Sequence, residues 1–188
     1  MKKIVFFDGD GTLWYPKRTR FGEKPWWIYR DPEVRRDPRA HLMLTPKAKS
    51  TLKALKGEGM VVVVLSTRPS LTVTDHEMSP KDYRKRLNDF AAYFGIDRYI
   101  DEYRACDPGK GDSNLKEIDI LSVLKRRGIP KSRALMVGDS YAHDYLSSRR
   151  AGIDCVLIDS FRHTKGDLRY KRLRRKIQDL GGVFRYLK

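Results

Sequence analysis

Cysteine is nearly absent: Cys106 and Cys155 are the only two in 188 residues. Two thiols build no disulfide framework, and their spacing is not that of a zinc site. A secreted disulfide scaffold is excluded, and the expected setting is a reducing, cytoplasmic one. Long apolar runs are missing too. The longest, Met60 to Leu65, falls far short of the ~20 residues a membrane helix requires. The apolar run behind Met1-Lys2-Lys3 stops at Asp8, too early for a signal peptide. No internal repeat and no low-complexity tract is present. Acidic residues are in deficit, 24 against 40 Lys and Arg, which leaves a net charge of +16. Such a field draws anions (phosphorylated metabolites, nucleic acid, acidic lipid) without choosing among them, and it leaves the fold undecided.

What is present alternates short apolar runs with amphipathic stretches. Lys3 to Phe7, Met60 to Leu65, Ala134 to Val137 and Cys155 to Ile158 read as buried strands, with a short strand expected at Arg98 to Ile100. Helices are expected over Pro46 to Lys56 with Thr45 as cap, and over Pro80 to Phe94 with Ser79 as cap. Others are expected over Ser113 to Arg127, Asp144 to Ala151 and Asp167 to Leu180. Strands alternating with helices predict an α/β fold: a Rossmann-like three-layer α/β/α sandwich around a parallel sheet of about five strands. One domain of this length buries roughly 70% of its unfolded surface and needs no covalent staple. Residues 1–160 are expected to form the core, and 161–188 a basic helix and tail packed on it.

In such sheets ligands bind beyond the carboxyl ends of the strands, so the residues there carry the chemistry. They are Asp8-Gly9-Asp10-Gly11-Thr12-Leu13-Trp14, then Ser66-Thr67-Arg68, then Gly138-Asp139-Ser140 with Asp144. Taken alone, Asp-Gly-Asp-Gly reads more readily as a plain turn. Following an apolar strand and preceding Thr-Leu-Trp, it reads as a site. Carboxylates drawn together repel unless a cation joins them, and hard oxygen donors suit Mg²⁺. One carboxylate can attack phosphorus while a second protonates the leaving oxygen and then deprotonates water.

The string Phe6-Phe7-Asp8-Gly9-Asp10-Gly11-Thr12-Leu13 resembles the first motif of the haloacid dehalogenase superfamily of phosphohydrolases. Ser66 falls where the second motif places a Ser or Thr, and Gly138-Asp139-Ser140 with Asp144 resembles the fourth. The third motif asks for a basic residue ahead of the last of these, and Lys116 is the choice, with Lys110 as the alternative. The resemblance implies that Asp8 is the nucleophile and a metal ligand. It makes Asp10 the general acid/base, binding the metal through its carbonyl, with Thr12 positioning it. Asp139 and Asp144 would complete a Mg²⁺ site, and Ser66 and Lys116 would hold the phosphoryl oxygens. Thr67 beside Ser66 joins the phosphate-binding candidates, and Gly9 and Ser140 the supporting ones. An acid at the position of Asp10 favours phosphatase over dehalogenase chemistry in this superfamily.

Members select substrates with inserted caps. Tyr15 to His41 is an inserted loop with four prolines, too short and broken for a helical cap domain. A capless or minimally capped enzyme is therefore expected, similar to the capless magnesium-dependent phosphatases. Trp14, Trp26, Trp27 and Arg68 are candidate substrate contacts. Trp26-Trp27 either stacks on a base, sugar or phosphotyrosine ring or packs on the sheet edge, and packing is favoured. Arg18, Arg20, Arg30 and Arg35 read as solvated surface rather than a second phosphate site. From Ser160 onward the chain carries ten basic and two acidic residues. That stretch is read as the outer face of an amphipathic helix rather than a nucleic-acid surface. The expected partner is a phosphorylated small molecule or phosphopeptide, with nucleic acid not favoured and no membrane partner. A polynucleotide 3′-phosphatase, or a non-catalytic nucleic-acid-binding protein on the same scaffold, is the alternative.

Overall fold

The computed structural model describes residues 1–17, 36–67, 79–107, 116–159 and 172–188. Six strands form one sheet: β1 (Ile4–Phe7), β4 (Val61–Thr67), β5 (Glu102–Cys106), β6 (Ala134–Gly138), β7 (Asp154–Ile158) and β8 (Lys176–Ile177). Their spatial order is β5-β4-β1-β6-β7-β8, and every pair is parallel. Two further strands, β2 (Trp14–Pro16) and β3 (Leu42–Leu44), make an antiparallel ribbon at the base of the inserted loop. A helical turn α1 (Pro38–His41) leads into β3.

Helices cover both sheet faces. On one, α2 (Ala48–Gly57) and α3 (Pro80–Tyr93) pack on Val5, Phe7, Val62 and Val64. On the other, α4 (Lys116–Arg127) and α5 (Leu146–Ala151) pack on Ile4, Phe6, Val63 and Leu65. The alternation along β1 and β4 feeds both cores, as a central parallel strand requires. No helix among the described residues is long and apolar enough to cross a membrane.

α3 begins as the sequence predicts. The Ser79 hydroxyl accepts from the Asp82 N–H at 3.1 Å and donates to its carboxylate at 2.6 Å. Tyr83, Leu87, Phe90 and Ala91 then line one buried stripe. In α4 the buried stripe is Lys116, Ile120, Val123 and Leu124, so a lysine occupies an apolar position.

Several expectations are corrected. Among the described residues the sheet holds six strands where about five are expected. The edge strand is Glu102–Cys106, and Arg98 lies instead in a 3₁₀ turn, Asp97–Tyr99. α2 starts at Ala48 behind Lys47, which has a left-handed backbone (φ 64°) and no side-chain cap, so Thr45 is not its cap. The expected last helix is absent in its described part. Residues 160–171 lie outside the described residues, and beyond them Lys176–Ile177 adds a strand and Leu180–Tyr186 forms a 3₁₀ helix. Ile177, Leu180 and Val183 are buried in the core of the α2–α3 face. Leu173, Ile177 and Leu180, which would share one face of the expected helix, are divided: Ile177 lies in the strand and Leu180 in the 3₁₀ helix, while Leu173 packs on the core of the opposite face.

Because this segment completes the core, Leu180→Ala should cost about 2–5 kcal/mol, as buried leucine truncations do. Urea unfolding measures it. A change of only about 0.5 kcal/mol, the surface range, would show that the segment is merely appended.

Candidate active site

β1 and β6 lie side by side, and the chain leaves both at the same sheet edge. Asp8 follows β1, its N–H donating to the Val137 carbonyl at 2.9 Å. Asp139 follows β6. Between them sits the Lys116 ammonium, 2.7 Å from Asp8 Oδ1 and 2.7 Å from Asp144 Oδ1. Carboxylate oxygens of Asp8, Asp139 and Asp144 lie within 4.8 Å of one another. Lys116 is 1% exposed and Asp144 0%, whereas Asp8 and Asp139 each keep 7% of their surface, so the latter two face the outlet.

The local backbone explains how Asp144 arrives there. Tyr141–Tyr145 makes one π-helical turn before α5, a wider turn than the helix expected from Asp144 onward. It directs the Asp144 carboxylate back over β6, where Oδ2 accepts from the N–H groups of Asp139 at 3.0 Å and Ser140 at 2.9 Å. Gly138 makes the room: a Cβ there would lie 2.2 Å from the Asp144 carboxylate. The Ser140 hydroxyl caps the turn by accepting from the His143 N–H at 3.1 Å.

Burial pushes the Asp8 carboxyl well above its ordinary pKa. The Lys116 charge opposes this, while the charges of Asp144 and Asp139 add to it. Burial alone would lower the Lys116 pKa, but the carboxylates of Asp144 and Asp8 outweigh it and hold the ammonium charged. Three buried carboxylates face one lysine, and a divalent cation would cancel the formal surplus of negative charge. The donor set, all hard carboxylate oxygen, fits Mg²⁺.

Asp10 lies half-buried in the turn after Asp8. The turn is closed by the Gly9 carbonyl, which accepts from the N–H groups of Leu13 at 2.9 Å and of Thr12 and Trp14 at 3.3 Å. Asp10 Oδ1 accepts from the Trp14 indole N–H at 2.8 Å, and Oδ2 from the Tyr83 hydroxyl at 3.3 Å. Tyr83 in turn sits 3.1 Å from the Ser66 hydroxyl at the end of β4. Gly9 lies under this group, since a Cβ there would come within 2.9 Å of the Trp14 ring.

The structure therefore brings together Asp8, Asp10, Ser66, Lys116, Asp139, Asp144, Gly9 and Ser140. Three other candidates behave differently. Thr12 is buried, but its hydroxyl has no hydrogen-bond partner among the described residues, so no such bond ties it to Asp10. Thr67 is half-buried, and strand alternation sends it to the face opposite Ser66. Trp14 is fully buried, edge-on to Phe90 at 5.8 Å and stacked with Phe94 at 6.5 Å. It is packed inside, with no ring surface exposed at the site. Trp26, Trp27, Arg68, Lys110 and the arginines 18, 20, 30 and 35 lie outside the described residues. Tyr83 is the site residue that sequence reasoning missed. Its signal was present: a hydroxyl in the first turn of the helix that follows the Ser66 strand, on the stripe of Leu87 and Phe90.

Comparison with known proteins adds to this geometry. No curated protein matches the sequence. Among solved structures, a predicted phosphoglycolate phosphatase from Haemophilus somnus aligns with a TM-score of 0.69 at 15% identity, over 100% of this chain and 98% of that one. A haloacid dehalogenase-like hydrolase from Streptococcus pneumoniae gives 0.67 at 16%, over 100% and 99%. A phosphatase of the same superfamily from Thermococcus onnurineus gives 0.65 at 18%, over 100% and 98%. At these identities the likeness is one of fold. The family model for haloacid dehalogenase-like hydrolases matches residues 17–152, well over half of the chain, starting just beyond the Asp8 turn and including Ser66, Lys116, Asp139 and Asp144. The chain belongs to the haloacid dehalogenase-like hydrolase family.

Proposed function

We propose that this protein is a Mg²⁺-dependent phosphomonoester hydrolase working through an aspartyl-phosphate on Asp8. The observation that carries this reading is the Asp8 carboxylate at the end of a central strand, 2.7 Å from a buried ammonium and grouped with two more buried carboxylates. Phosphoryl transfer asks mainly for alignment and for neutralisation of spreading negative charge. This cluster is suited to both.

An oxygen of Asp8 forms the new bond to phosphorus while the ester P–O bond breaks. The departing oxygen takes a proton from Asp10. In the second half, Asp10 takes a proton from water as the water oxygen bonds to phosphorus, and the Asp8 carboxylate leaves. Inorganic phosphate is released and Asp10 is protonated again, so the cycle closes. Lys116 and Ser66 hold the phosphoryl oxygens as donors of fixed position. Asp8, Asp139 and the Asp10 carbonyl would hold Mg²⁺, which supplies charge neutralisation at the phosphoryl group. Asp144, whose oxygens already accept from Lys116 and two N–H groups, stands behind them.

The substrate class we propose is a phosphorylated metabolite, a sugar phosphate or phosphotyrosine, admitted by a capless or minimally capped site. In support, the described residues between Ser66 and Lys116 amount to α3, one 3₁₀ turn and β5, all of them parts of the core.

Purified protein should hydrolyse p-nitrophenyl phosphate with Mg²⁺, stop when the ion is chelated, and resume when it is restored. Asp8→Asn should be inactive while remaining folded by circular dichroism; normal turnover by that variant would refute the proposal. Lys116→Met should be inactive as well. It should also lose about 3–5 kcal/mol in urea unfolding under chelating conditions, because it strands two buried carboxylates.

A further inference from the structure

The Asp10 carboxyl has to serve two partners in turn, the leaving oxygen and the incoming water. A carboxyl on a turn residue rotates about two bonds, and a misdirected proton donor loses much of its advantage. Here each oxygen is held by a separate donor, and the two donors come from different elements. Trp14 opens β2, four residues on, and binds Oδ1 at 2.8 Å. Tyr83 lies on α3, is 1% exposed and binds Oδ2 at 3.3 Å.

Hydrogen counting sharpens the role of Tyr83. A phenol carries one hydrogen, and a carboxylate oxygen only accepts. While Asp10 is a carboxylate and no substrate is bound, that hydrogen goes to Asp10 and the 3.1 Å contact to Ser66 is a donation from the serine to the phenol oxygen; a phosphoryl oxygen that takes the serine hydrogen leaves the bond from Tyr83 to Asp10 in place. The Tyr83 hydroxyl therefore links the group at the phosphoryl position to the group at the leaving-oxygen position. Its ring is fixed in the same apolar cluster as Trp14, Leu87 and Phe90.

We propose that Tyr83 is a positioning residue of the hydrolase: with the Trp14 indole it fixes the orientation of the Asp10 carboxyl and ties it to Ser66. The proposal rests on the reading of Asp10 as general acid given above. Orientation of the acid matters most where the departing oxygen needs a proton. It matters least where that oxygen leaves as a stable anion.

The test compares kcat/KM for phenyl phosphate and p-nitrophenyl phosphate, two esters of similar shape whose leaving oxygens differ in basicity. This parameter covers the steps through departure of the alcohol. General acid catalysis contributes about 10²–10⁴-fold, so Tyr83→Phe should lower the phenyl phosphate value about ten-fold or more and the p-nitrophenyl phosphate value distinctly less. Trp14→Phe, which removes the other donor, should show the same selective loss. In an Asp10→Asn background, Tyr83→Phe should add nothing to the contrast between the two esters. Equal losses on both esters, no loss, or full additivity with Asp10→Asn would overturn the proposal while leaving the hydrolase reading intact. Failure of the wild-type protein to hydrolyse either ester would overturn both. Thermal melting shows which variants retain the fold, and either of the two single variants decides the matter alone.

Discussion

Three carboxylates and one ammonium share a pocket almost closed to water, and the surrounding structure exists to make that tolerable. Charge taken out of water costs several kcal/mol per ion unless it is paired and hydrogen-bonded. Lys116 meets two of the acids at 2.7 Å. Two backbone N–H groups meet the third oxygen position, at Asp144 Oδ2. Gly138 omits the side chain that would collide with it. Three carboxylates against one ammonium still leave a formal surplus of negative charge, and Asp8 and Asp139 are the members of the cluster that keep some exposure. A divalent cation is the species such a surplus would hold, and only with it in place would an anionic phosphoryl group be free to approach.

Much of this was legible before any coordinates. Apolar runs ending in acidic or hydroxyl residues marked β1, β4 and β6, and the order of those ends marked the site. The choice between Lys116 and Lys110 stayed open because a basic residue near a helix start is common. Helical spacing favours the former: with Ile120, Val123 and Leu124, Lys116 shares one face, and a lysine on an apolar face calls for buried acids. β5 was obscured because Glu102-Tyr103-Arg104 is the sequence of a half-exposed edge strand, where polar side chains interrupt the apolar pattern. The C-terminal segment misled for the opposite reason. Its apolar residues fit a helical period, but pairing of Lys176–Ile177 with Leu157–Ile158 gives them a sheet edge to complete.

Trp14 and Tyr83 show a different limit. Neither contact with Asp10 can be read from spacing alone, although Trp14 is only four residues away. The tryptophan finds its orientation only because Phe90 and Phe94 form a wall for it, and the tyrosine arrives across 73 residues of chain. Motif reasoning assigned the task of orienting Asp10 to Thr12, the nearest hydroxyl in sequence. Packing gives it to two aromatic side chains whose polar ends reach out of the core, a use that suits groups with a large apolar body and a single donor.

The distance along the chain between the charges carries its own consequence. Asp8 emerges from the ribosome 108 residues before the lysine that neutralises it, and the acid that completes the cluster follows 28 residues later still. A growing polypeptide can pair β1 with β4 early, yet its leading carboxylate has nothing to be buried against until α4 and β6 have been made. Hydration of that one group favours an open central strand during synthesis. Maturation of the sheet centre is thereby tied to translation of its later half.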